Sequence, residues 1–298
     1  LLAPGDAASA EFLEKTRFLL TVEPGTAAGP IAVFDSGVGG LSVLRHMRAL
    51  LPHENLLYLA DQAHVPYGER PPVQVCAFAE TITRFFLEQR AKAIVVACNT
   101  ATAAALSYLR ATFPHCPFVG MEPAVKPAAE STETGVVGVL ATAGTFESQR
   151  YASLMARFAQ DVALFEDTCD GLVALVEAGR VQGPEVEALL RRYVTPMMVA
   201  GVDTLVLGCT HYPFVLPALR QVVGDAVAII DPAPAVVHQV QRVLQRYTLA
   251  AQRGALGTVR AFTTGEPRHF AHLARQLLGY PLPVTALHWQ DGRLQSVA

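Results

Sequence analysis

The stretch AIVVACNTATAAAL (residues 93–106) decides how this chain folds. Ala93 to Ala97 form an apolar run with no polar alternation, which suits a strand buried on both faces. Cys98, Asn99 and Thr100 break the run, and the Ala-rich segment from Ala101 to Arg110 reads as a helix. A buried strand passing straight into a helix is the working half of a βαβ unit, so a parallel sheet is expected.

The arrangement recurs. TLVLGCTHYPFVLPAL (204–219) is again an apolar strand, a cysteine, a threonine and a helix, and Cys209 lies 111 residues after Cys98. IAVFDSGVGG (31–40) and VGVLATAGT (137–145) form a second matched pair at similar spacing. Around them, strands at Leu56–Ala60 and Val162–Phe165 alternate with helices at Leu41–Leu51, Val73–Arg90, Phe146–Phe158, Gly171–Ala178, Glu185–Ala200 and Phe214–Val223. A helix at Ala235–Gln245 and weaker strand and helix signals follow. A long repeat of this kind implies two like lobes rather than a solenoid. The expectation is an α/β protein of two similar doubly wound parallel-sheet lobes with the active site between them. One lobe takes residues 29–121 and 236–298, the other 122–235. Residues 1–28 read as a poorly ordered extension, with one helical turn around Glu11–Leu19.

Composition narrows the function. Of 298 residues, 51% are hydrophobic and 16% charged, enough apolar material for a large core. The net charge is -3 and no basic stretch occurs, so nucleic acid is not an expected partner. No apolar run reaches the roughly 18–20 residues of a membrane span. Phe18–Val22 is too short for a signal peptide. The five cysteines (76, 98, 116, 169, 209) are odd in number and contain no CxxC pair. A disulfide framework is not expected, and a reducing cytoplasm is.

Ligands of open parallel sheets bind beyond the carboxyl ends of the strands. Those ends carry Asp35-Ser36, Asp61, Cys98-Asn99-Thr100, Thr142 and Cys209-Thr210-His211. One such cysteine alone is usually a small buried hydrophobe. Two placed alike, each expected just before a helix N-terminus that favours a thiolate, suit a different purpose. They supply one base and one acid on opposite faces of a carbon. Cys76, Cys116 and Cys169 lack this context and read as structural. Asn99, Thr100 and Thr210 can bind a carboxylate, with N-capping as the plainer alternative for the threonines. His211 can exchange a proton with Cys209 or stabilise its anion. A cysteine and a histidine give two ligands only, so no metal site is expected. DSGVGG lacks the Gly-Lys-Ser/Thr ending of a phosphate loop, and Asp35 would repel phosphate but attract an ammonium group. The turn His64–Glu69, with the aromatic hydroxyl of Tyr67, either closes over a ligand or is a plain surface turn.

Taken together, FDSGVGGLSVL (34–44), VPYGER (65–70), VVACNTATA (95–103), LATAGT (140–145) and VLGCTHYP (206–213) resemble the motifs of glutamate racemases, within the aspartate/glutamate racemase superfamily. The resemblance runs from about residue 31 to 290. It implies cofactor-independent interconversion of L- and D-glutamate, supplying peptidoglycan synthesis in a bacterial cytoplasm, by a protein that is commonly a homodimer. By match, Cys98 acts on D-glutamate and Cys209 on L-glutamate, with Asp35 and His211 assisting. Ser36, Tyr67, Gly68, Asn99, Thr100, Thr142, Thr145, Thr210, His211 and Asp35 fall on substrate-binding positions. The family often has prolines before a site glutamate. Here residues 169–177 read CDGLVALVE, without them, and Glu177 keeps the place. Ala60-Asp61 stands where the family often has Gly-Asp. The absence of a cofactor accords with the lysines: Lys15, Lys92 and Lys126 are the only ones, and none falls on the rim where pyridoxal phosphate would need one.

Overall fold

The computed structural model describes residues 25–252 and 254–296. The helical turn expected around Glu11–Leu19 lies outside them. The first unit runs β1 (Ile31–Asp35), α1 (Leu41–Leu50), β2 (Leu56–Ala60), a 3-10 turn (Tyr67–Glu69), α2 (Pro72–Glu88), β3 (Ala93–Val96), α3 (Asn99–Thr112) and β4 (Phe118–Gly120). The second runs α4 (Val125–Ser131), β5 (Val136–Leu140), α5 (Ala143–Phe146), α6 (Gln149–Phe158), β6 (Ala163–Asp167), α7 (Leu172–Glu177), α8 (Pro184–Val199), β7 (Thr204–Leu207), a 3-10 turn (Tyr212–Val215), α9 (Leu216–Val223) and β8 (Ala228–Ile230). The chain ends with α10 (Ala233–Arg246), β9 (Val259–Thr263), α11 (Pro267–Leu278), β10 (Val284–Gln290) and β11 (Arg293–Ser296).

The repeat seen in the sequence is a repeat of topology. The smaller sheet has the order β6-β5-β7-β8, and the larger contains β2-β1-β3-β4, the same order in the same parallel sense. Cys98 and Cys209 follow β3 and β7, the equivalent strands. The larger sheet then continues past β2 through β9 and β10, both parallel, to β11. That last strand is antiparallel and forms the edge of an otherwise parallel sheet. Asp291-Gly292 turns the hairpin with both residues at positive φ, as the twist of a two-residue loop demands.

Both faces of the larger sheet are covered, which explains its unbroken apolar strands. Ile31, Val33, Leu56 and Tyr58 point to one side, against α1, α10 and α11. Ala32, Phe34, Leu57 and Leu59 point to the other, against α2 and α3. The first of these cores runs on without a break to Leu205, Leu207 and Cys209 of the smaller sheet's unit. At the amino ends of the strands, buried Lys92 pairs with buried Glu54 at 2.5 Å and donates to the carbonyl of Ala27 at 2.7 Å. Residues 25–28 are thereby held to the sheet.

Other differences from the expected elements have local causes. Strands β4 and β8, three residues each, and helix α4 carry too little pattern to register in the sequence. The helix expected from Phe146 divides, because the Ser148 hydroxyl accepts the Tyr151 N–H at 3.1 Å and starts a new helix. The helix expected from Phe214 is preceded by a 3-10 turn at Tyr212–Val215 and begins at Leu216. Cys209 therefore does not stand at the mouth of an α-helix.

Candidate active site

The carboxyl ends of β1, β3, β5 and β7 converge on one cleft of about 300 Å³, counted out to open solvent. Of the residues singled out above, Asp35, Ser36, Tyr67, Gly68, Cys98, Asn99, Thr100, Thr142, Cys209, Thr210 and His211 line it. Glu177 and Thr145 stand one hydrogen bond behind the lining, on His211 and Thr142. Pro66, Val173 and Gly208 complete it without having been expected.

Cys98 caps α3. Its Sγ accepts the Ala101 N–H at 3.5 Å. Burial pushes the thiol well above its ordinary pKa, and the Asp35 charge adds to this, while the Ala101 and Ser36 amides pull it down. Asp35 is wholly buried, and burial raises its carboxyl too, against the opposing pull of the His211 charge and two hydroxyls. Those hydroxyls are Ser36 Oγ, donating to Oδ1 at 2.9 Å, and Thr210 Oγ1, donating to Oδ2 at 2.7 Å.

Cys209 has other neighbours. Its Sγ lies 3.6 Å from His211 Nδ1, and His211 Nε2 lies 2.7 Å from Glu177 Oε1. Burial alone would lower the imidazole pKa, but the hydrogen bonds to Cys209 and Glu177 outweigh it and hold the ring well above its usual value. Burial likewise works against the Glu177 charge, yet the His211 bond, the His211 charge, the Val38 N–H and Gln62 leave its carboxyl below the usual value. Both shifts favour the charged forms of the pair, imidazolium and carboxylate.

Glu177 belongs to α7 but is held by the other unit: Val38 N–H donates to Oε1 at 2.7 Å and Gln62 Nε2 to Oε2 at 3.2 Å. The glycine turn after β1 permits this approach. A Cβ at Gly37 would sit 1.8 Å from Glu177 Oε1, and one at Gly39 would sit 2.4 Å from His211 Nδ1. Tyr58 OH pins the turn by donating to the Gly37 carbonyl at 2.7 Å, and Ser42 Oγ donates across to the Thr210 carbonyl at 3.0 Å. Val38 and Gln62 escaped the sequence reading, because an amide and a lone Gln give no signal without the fold.

The polar wall joins the two units again. Thr100 and Thr142 hydroxyls are 2.8 Å apart, and Thr142 and Thr145 are 3.0 Å apart. Both side-chain amide atoms of Asn99, in the cleft wall, are buried without a partner among the described residues. Such an amide needs a ligand or water to satisfy it. Tyr67 lines the cleft, but its hydroxyl is committed to Asp61 at 2.6 Å.

Lys92 is buried at the amino ends of the strands and Lys126 is an exposed partner of Glu130, so neither reaches the cleft. Among the described residues, no group of three or more His, Cys, Asp or Glu could hold a metal ion. No helix among them is long and apolar enough to cross a membrane.

Residues 39–240 match the Asp/Glu/Hydantoin racemase family. Glutamate racemase from Pseudomonas aeruginosa is 52% identical over 257 residues, covering 86% of this chain and 97% of that protein. Among solved structures, glutamate racemase isoform RacE1 from Bacillus anthracis superposes with a TM-score of 0.79 at 31% identity, covering 89% of this chain and 98% of that one. The Escherichia coli glutamate racemase in complex with L-glutamate and the activator UDP-MurNAc-Ala gives 0.77 at 31% identity, covering 91% of this chain and 100% of that one. The Francisella tularensis enzyme in complex with D-glutamate gives 0.76 at 27%, covering 87% and 97%. On sequence, family match and fold together, this chain belongs to the glutamate racemase family.

Proposed function

We propose that the chain interconverts L- and D-glutamate with two thiols, Cys98 and Cys209, on opposite faces of the substrate, and without a cofactor. The observation that carries this reading is the placement of both sulfurs on one cleft, at equivalent strand ends of two like units. Structural relatives in complex with L-glutamate and with D-glutamate support the substrate.

The steps follow from the two environments. With L-glutamate bound, Cys209 as thiolate beside cationic His211 takes the α-proton. The electron pair left on Cα spreads into the substrate carboxylate. Asn99 and Thr100 stabilise that charge by hydrogen bonding. Cys98 then gives its thiol proton to the opposite face. D-Glutamate results, with Cys98 now the thiolate and Cys209 the thiol. In reverse, Cys98 must first lose its proton. Asp35, with its raised carboxyl pKa, is the base at hand, while cationic His211 gives a proton to the Cys209 thiolate; Cys98 then takes the α-proton of D-glutamate and Cys209 delivers its own to the other face. Asp35 also offers the charge that attracts the substrate ammonium. Ser36, Tyr67, Gly68, Thr142, Thr145 and Thr210 shape the rest of the site, and Glu177 keeps His211 charged. Among the described residues neither lysine, Lys92 nor Lys126, reaches the cleft to anchor pyridoxal phosphate, and the donor set there suits no metal, so the reading is cofactor-free. The family resemblance adds a cytoplasmic homodimer feeding D-glutamate to peptidoglycan synthesis.

Circular dichroism of purified protein, dialysed against chelator and given no pyridoxal phosphate, tests this. Either enantiomer of glutamate should lose its ellipticity to zero. A steady signal with both would end the proposal, and a panel that includes aspartate fixes the side chain accepted.

A further inference from the structure

One buried carboxylate lies outside the two thiol networks. Asp61 directly follows β2 and is fully buried, and four polar side chains surround it. Thr264 Oγ1 and Trp289 Nε1 each donate to Oδ1 at 2.8 Å. Tyr67 OH donates to Oδ2 at 2.6 Å, and His64 Nδ1 lies 2.9 Å from the same oxygen. The His64 ring stacks on Phe78 with centroids 3.9 Å apart and meets Trp289 edge-on at 5.0 Å, so the carboxylate is roofed by aromatic rings. A buried charge costs much unless every lone pair is used, and once satisfied it fixes its partners firmly.

What Asp61 fixes is a wall of the cleft. The 3-10 turn at Tyr67–Glu69 abuts the other unit so closely that a Cβ at Gly68 would lie 2.9 Å from Thr142 Cβ. Thr142 in turn bonds Thr100. The phenol oxygen of Tyr67, tied to Asp61, is not the group the turn offers to a ligand. The turn offers its backbone and ring instead.

We propose that Asp61 is a positioning residue for substrate binding, holding the Tyr67–Gly68 turn against the glutamate site while Thr264 and Trp289 brace it from the C-terminal segment. The claim rests on reading the cleft as the glutamate site. Tyr67→Phe and Asp61→Asn should each raise KM for both enantiomers by about tenfold while kcat stays within about threefold, since a charge-assisted hydrogen bond outside the reacting atoms is lost. The double variant should be no worse than the poorer single one, because both act through one bond. Trp289→Phe removes only the indole N–H and should raise KM about twofold. Trp289 is also the only tryptophan. Its fluorescence should shift when wild type is titrated with D-glutamate, and the shift should fade in Tyr67→Phe.

Unchanged KM in Tyr67→Phe and Asp61→Asn would overturn the proposal. So would additive losses in the double variant, which would mean that Tyr67 touches glutamate independently. Should Asp61→Asn not fold, Tyr67→Phe and Trp289→Phe carry the test. If wild type turns over neither enantiomer, the reading of the cleft fails instead, and glutamate affinities from the fluorescence titration still decide the role of Asp61.

Discussion

Cys98 and Cys209 follow equivalent strands of two units with one strand order, and the two halves of the cleft still solve the thiolate problem differently. On the Cys98 side the sulfur caps a 14-residue helix, so backbone amides and the helix dipole are the stabilising groups. An acid with a raised pKa, Asp35, stands beside it. On the Cys209 side the helix is displaced by a 3-10 turn, and a charged pair, His211 with Glu177, takes over. A repeated fold thus places two sulfurs alike without giving them like chemistry. The Cys209 sulfur has an imidazole paired with a carboxylate beside it, and the Cys98 sulfur has a buried carboxyl and a helix amide.

Ordinary kinetics hides this difference. The equilibrium constant of a racemisation is one by symmetry, so kcat/KM must be equal in the two directions for every variant. Exchange of the α-proton with solvent, followed by NMR in deuterium oxide, separates the halves. The largest effect expected is from Cys98→Ser and Cys209→Ser, each lowering racemisation by about 10³-fold or more, because a general acid–base group is lost. Cys98→Ser should still exchange L-glutamate and Cys209→Ser D-glutamate, the first faster than the second. Equal residual rates would show the halves to be interchangeable after all.

Glu177→Gln comes next, with a loss of about 10- to 100-fold. The amide keeps the shape and loses the charge that holds His211 cationic. On the proposed mechanism the imidazolium is the working form, so activity should persist below the His211 pKa and fall as pH rises through it. Losing a cause that raises this pKa moves the basic limb of the profile to lower pH. Stability follows the same signs. His211, raised in the fold, contributes stability that is complete below its unfolded pKa and lost as pH rises through its folded one. Glu177, lowered in the fold, contributes stability present above its unfolded pKa and lost as pH falls through its folded one. Thermal midpoints of Glu177→Gln should therefore vary less with pH than those of wild type. A basic limb left in place would break the link between Glu177 and His211.

Gly39→Ala attacks the same half from the opposite unit. Its Cβ would sit 2.4 Å from His211 Nδ1 and 2.5 Å from Thr210 Oγ1, so the ring must shift. L-Glutamate exchange should fall about tenfold, a size expected when a catalytic group is misplaced by part of an ångström, and D-glutamate exchange should fall less. Equal losses would mean that the clash disturbs the cleft as a whole.

How much of this was legible in sequence follows the range of each interaction. The two thiols stood out because strand, cysteine and helix are contiguous, and the 111-residue repeat showed them to be a pair. His211 is two residues from Cys209, within the same motif. By contrast Gln62, Val38 and Trp289 work through contacts separated by 115, 139 and 228 residues, where no local pattern points to the partner. Tyr67 was legible as a residue of the cleft but not in its bonding, since nothing near it in sequence says that its hydroxyl is spent on Asp61. The expected helix N-terminus at Cys209 is displaced, because the 3-10 turn Tyr212–Val215 intervenes before α9 begins at Leu216.

Thr210 is where the two halves touch, and Thr210→Val carries the smallest expected effect. The residue neighbours Cys209, yet its hydroxyl donates to Asp35 on the Cys98 side. Valine keeps the shape and removes that bond alone. Asp35 retains Ser36 Oγ and the Gly37 N–H, the latter at 3.3 Å. The lost bond is one that stabilises the charged form, so the Asp35 pKa rises further above its ordinary value. Asp35 must be ionised to take the Cys98 proton. The acid limb of D-glutamate exchange should thus move to higher pH, with a loss of about threefold near neutrality, while L-glutamate exchange stays as in wild type. The stability sign runs the same way. A carboxyl raised in the fold is best tolerated protonated, so the variant should lose most stability at alkaline pH and least in acid, up to about 1.5–3 kcal/mol for a bond to a buried charge. If both exchange reactions move together, Asp35 serves both thiols, and the division of the cleft into two chemically separate halves is wrong.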